Sequence, residues 1–86
     1  MHELTQQADQ LTIRAKTARL SLTSLKTQMS DQGLGLRSDV VEAETRMNHH
    51  LEKAKQEIAS GDAVSAEKDL QAAGAAAEYI EKFLGR

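Results

Sequence analysis

The side chains with the most chemical potential in this sequence are His49 and His50, the only adjacent pair among its three histidines. Neighbouring positions on a helix project about 100° apart, so the two rings do not close on one ion. His49 with Glu52, three residues on, is the best-spaced ligand pair, and two ligands fall short of the three or four that protein zinc sites use. The spacing favours histidines that are solvated or sit at the edge of a core. Ser65 and Lys68 spell the Ser-x-x-Lys string with which some acyl enzymes arm a serine. The companion elements of that constellation are absent, which leaves a two-position coincidence. Gly33-x-Gly35 follows a helical pattern rather than a strand, lacks a third glycine and has no phosphate-binding lysine behind it. Glu42 with Glu44, and Glu78 with Glu81, are carboxylate pairs with no nucleophile and orienting base beside them, as on ordinary charged helix faces. No catalytic, cofactor-binding or metal-ligating residue is therefore assigned, no cofactor is expected, and no small-molecule substrate is indicated.

Composition narrows the classes further. Eighty-six residues make one domain, 1–86, with a modest core. Tyr79 and Phe83 are the only aromatics, so that core must be built from Leu, Ile, Val, Met and many Ala. Eleven basic and thirteen acidic side chains leave a formal charge of −2, without the basic patch that nucleic acid demands. No Cys is present, which removes disulfide and thiol chemistry. No stretch approaches the roughly 18 apolar residues of a membrane span. Residues Met1 to Gln7 lack the charged-then-apolar pattern of a secretory signal. A soluble chain without membrane insertion is expected, in a compartment the sequence does not specify.

The elements that position these side chains are read from apolar spacing. Leu4, Ala8, Leu11, Ala15, Ala18, Leu22, Leu25 and Met29 alternate at four and three residues, which predicts a helix over about 2–31. Gly33 is placed to cap it in the left-handed conformation, with Leu34 folding back. Ser38 and Asp39, with Glu42 as a capping-box partner, announce a second helix over about 39–59. Its inward face is Val40, Ala43, Met47, Leu51, Ala54 and Ile58. Ser60-Gly61-Asp62 ends one helix and starts the next within a turn short enough to force an antiparallel hairpin. The third helix, about 62–84, carries Ala63, Ala66, Leu70, Ala73, Ala77, Ile80 and Leu84, flanked by Ala72, Ala76, Tyr79 and Phe83. Its run Ala72-Ala73-Gly74-Ala75-Ala76-Ala77 is slim enough for another helix to approach closely. The expected fold is all-α, a three-helix up-down-up antiparallel bundle, with a long coiled-coil dimer as the alternative.

Gly61, Ala66, Leu70 and Ala73, with Ala54 upstream, resemble the helical hairpin of a tetratricopeptide repeat over about 30 residues. His50 and Glu57 stand where that family has its tryptophan-like and aromatic positions, and Glu78 where it has proline. No second copy follows at the family's 34-residue offset, and at least three repeats are needed to form a binding groove. The resemblance implies hairpin packing and not peptide binding. More loosely, the string from Leu51 to the closing Glu81-Lys82-Phe83-Leu84-Gly85-Arg86 is similar to C-terminal helical domains of uncharacterised bacterial proteins. That likeness implies a module at the end of something larger.

Two functional classes remain. The first is a structural or protein–protein interaction module without catalytic activity, working through a protein partner or self-association. The alternative is a small regulatory or sensory bundle that binds a ligand or ion between its helices; His50 and Glu44 are the polar residues nearest a seam. For the first class the candidate contact residues are Ile13 and Leu20, seven apart on the back of the first helix and farthest from its apolar stripe. If the stripe is the core, both are exposed.

Overall fold

The alternating three- and four-residue spacing of apolar side chains produces three α-helices in the computed structural model, which describes residues 2–85. They are α1 (His2–Asp31), α2 (Ser38–Ser60) and α3 (Ala63–Phe83). No helix among the described residues is long and apolar enough to cross a membrane.

Each boundary has a local cause. After α1, Gly33 takes φ +76°; its N–H donates to Ser30 O (2.9 Å) and the Leu34 N–H to Met29 O (2.7 Å). These two bonds satisfy carbonyls that the helix end would otherwise leave bare. α2 ends the same way, with Gly61 at φ +82°, its N–H donating to Ile58 O and the Asp62 N–H donating to Glu57 O (2.8 Å). Asp62 then starts α3 by accepting from the Ser65 N–H through Oδ1 at 3.2 Å. The start of α2 departs from the expected capping box. The helix starts at Ser38, so Arg37 holds the cap position without any side-chain cap, and Asp39, inside the first turn, accepts from Arg37 and Tyr79.

A Cβ added at Gly61 meets nothing within 4 Å, so a substitution there suffers through the backbone conformation alone. Gly61→Val is expected to lose about 1–2 kcal/mol, the cost of the left-handed region for a residue with a side chain. A thermal melt superimposable on that of the parent protein contradicts this.

Cross-helix pairs set the directions. Arg19 meets Asn48 and Lys26 meets Glu44, so α1 and α2 run antiparallel. Asp39 meets Tyr79 and His50 meets Asp69, so α2 and α3 do too. The bundle is up-down-up, and the stripe of α1 is spent within the chain rather than on a coiled-coil dimer. Ala8, Leu11, Ala15, Ala18 and Leu22 of α1 join Val40, Ala43, Met47, Leu51 and Ala54 of α2 and Leu70, Ala73, Ala77 and Ile80 of α3 in one core. Leu4, Ile58 and Phe83 pack against its edges. Ala63, expected on the inward face of α3, is exposed at its first turn.

Candidate functional site

The inward stripe of α1 uses one side of the helix, which turns Ile13 and Leu20 to the opposite side. They are 67% and 64% exposed, the former sharing with Val64 the highest exposure among the described large apolar side chains. Seven residues on a helix span about 10 Å, and exposed Thr17 and Ser24 border the line they form. Lys16 flanks it to one side, while Arg14 is turned to Glu81 of α3, 2.6 Å away. This is an aliphatic contact line two turns long, framed by polar residues.

A second feature lies between α2 and α3. His50 Nδ1 is 2.7 Å from Asp69 Oδ1, across the hairpin. Asp69 is only 8% exposed and is the one buried charged residue among those described. Glu57, two turns along α2 from His50, presents a buried Oε1 with no donor to accept from. A proton kept on Glu57 and donated to Asp69 removes that deficit, since a neutral carboxyl is a donor as well as an acceptor. The bond to Asp69, burial and the Asp69 charge together push the Glu57 carboxyl above the usual carboxylate range. The same bond, then the one from His50, holds Asp69 below that range. With Asp69 accepting from Nδ1–H, the second ring nitrogen of His50 is left for another partner. Glu44, the other polar residue expected near a seam, is half-buried 3.8 Å from Lys26.

Beside this cluster runs a groove of about 430 Å³, lined by Asp39, Ala43, Arg46 and His50 of α2 and by Ala72, Ala75, Ala76 and Tyr79 of α3. The slim alanine run that lets α3 lie close to α2 also forms the groove's floor. At its far end Tyr79 O–H donates to Asp39, which also accepts two hydrogen bonds from Arg37. The bond from Tyr79 and then those from Arg37 hold the Asp39 carboxyl below its ordinary range, and donating to the Asp39 carboxylate pushes the Tyr79 phenol up.

Comparison with family models, curated proteins and solved structures finds no significant match to this chain. The functional reading therefore rests on the geometry alone. Among the described residues no three His, Cys, Asp or Glu side chains gather as a metal site requires. The sequence reading missed Asp69, Arg46 and the groove. Asp69 carried a signal: it lies one turn before Ala72 on the flank of α3 read as apolar, where a carboxylate needs a partner.

Proposed function

We propose that this chain is a non-catalytic protein-interaction module that docks a partner helix on the Ile13–Leu20 line of α1. The observation that supports it is the exposure of both side chains, 67% and 64%, on a helix whose other side is already buried. Burying two large aliphatic side chains is worth roughly 3–5 kcal/mol, and association costs at least about as much. The line therefore serves as the apolar centre of a weak contact and does not hold a tight complex unaided. A second copy of the chain is the occupant to test first. The parent's average mass in light scattering is expected to rise over a concentration series, whereas Ile13→Lys with Leu20→Glu stays monomeric with unchanged helicity. A parent that is monomeric throughout, or a variant that loses helicity, overturns docking of a second copy on this line.

One observation favours a second reading, a small regulatory bundle that holds a ligand between helices. The groove between α2 and α3 combines an alanine floor with Arg46 and His50 on one rim, the mix of apolar lining and few polar groups typical of ligand sites.

A further inference from the structure

Arg46 and His50 are four residues apart, so they stand one above the other on the same side of α2, with Ala43 a turn earlier. All three line the same groove. The Arg46 guanidinium has Glu42 Oε2 as its nearest charged partner at 3.8 Å, beyond hydrogen-bonding distance. Its five donors are thus unspent among the described residues. His50 has one nitrogen committed to Asp69 and the other unengaged by any described side chain. Below them lie Ala72, Ala75 and Ala76, which present methyl groups and no polar side-chain atom.

From this juxtaposition we infer that the groove binds a free organic monocarboxylate with a short, flat apolar body, its carboxylate on the Arg46 guanidinium beside His50. The inference rests on the second reading above. A guanidinium fork matches a carboxylate with two parallel N–H···O bonds. A single negative charge suits the site better than a phosphate dianion, because Asp39 lines the groove and Glu42 stands beside Arg46. The alanine floor accepts a ring or a short chain lying flat. The groove is open to solvent and its cation is well exposed, so affinity is set in the range of about 1–10 mM.

The test is an NMR titration of the intact chain with benzoate, its neutral isostere benzamide and N-acetylphenylalanine, repeated in two variants. Arg46→Gln changes an exposed side chain, and Ala75→Phe fills the groove from an exposed position of α3. Benzoate is expected to give saturable shifts at the amides of Ala43, Arg46, Ala75 and Ala76. Arg46→Gln should weaken binding at least tenfold and Ala75→Phe abolish it, with benzamide much weaker than benzoate. Equal benzoate affinity in parent and Arg46→Gln, with Ala75→Phe still blocking, sinks the carboxylate assignment while the groove remains a ligand site. Absence of groove shifts with both benzoate and benzamide overturns the assignment and the second reading together. N-acetylphenylalanine binding tenfold more tightly than benzoate overturns the assignment to a free acid in favour of a chain terminus.

Discussion

Ile80→Ala is expected to lower the free energy of unfolding by about 2–5 kcal/mol, the range for truncating a large buried aliphatic side chain. A chain of this length commands only roughly 4–13 kcal/mol in total, so the variant is expected to be partly unfolded at moderate temperature. The reason lies in the make-up of the core. Its largest fully buried side chains are Leu22, Met47, Ile80 and Val40, and Ala15, Ala18, Ala54, Ala66, Ala73 and Ala77 fill the remaining fully enclosed positions. Alanine layers have already brought the helix backbones close, so the helices have little room to move inward and fill the space Ile80 leaves. Each large side chain consequently carries an unusual share of the burial. Urea unfolding followed by circular dichroism measures the effect, with Val64→Ala as the control. Val64 is 67% exposed, and its truncation should stay within about 0.5 kcal/mol of the parent. A loss below about 1 kcal/mol for Ile80→Ala would show that the core tolerates the cavity.

Glu57→Gln should make the protein more stable than the parent at neutral pH and leave it nearly unchanged near pH 4. In the folded chain the Glu57 carboxyl is raised above its ordinary range, first by its hydrogen bond to Asp69 and then by burial. A raised carboxyl stabilises the fold in its protonated form. That contribution is complete below the unfolded value of about 4.3 and is lost as pH rises through the folded value. Asp69 behaves in the opposite sense. Its folded value is lowered by the bonds from Glu57 and His50, so its contribution is present above about 3.9 and disappears as pH falls through the folded value. Together the pair favours mildly acidic solution, with a decline on both sides. Glutamine keeps a donor toward Asp69 at every pH, which removes the decline on the alkaline side and leaves the acid side in place. Melting temperatures of parent and variant from pH 3 to pH 8 decide the matter. Parallel curves across the whole range would mean that Glu57 and Asp69 share no proton.

The position of the groove could not be inferred from helix periodicity, although every residue lining it belongs to a helix that periodicity did predict. Ala72 and Ala76 were legible as a slim flank of α3. Their role as a floor depends on α2 supplying Arg46 and His50 above them. Asp39 shows the same limit. Its place beside Ser38 suggested a helix cap, yet the carboxylate turns to Arg37 and to Tyr79, forty residues away. The helix starts one residue earlier, at Ser38, so Asp39 falls inside the first turn rather than at the cap, and a phenol from another helix reaches its oxygens.

What the sequence determined by itself is whatever depends on spacing within one segment: three helices, their glycine caps at Gly33 and Gly61, the inward stripes, and the outward line of Ile13 and Leu20. A helix repeats every 3.6 residues, so membership of a face follows from counting. What only the tertiary structure decided is which face meets which. His50 and Asp69 are 19 residues apart, and their bond exists because the Gly61 turn and the alanine layers set how far α3 slides along α2. That offset is a sum over many small packing contacts across the hairpin, and no single residue or spacing in the chain encodes it.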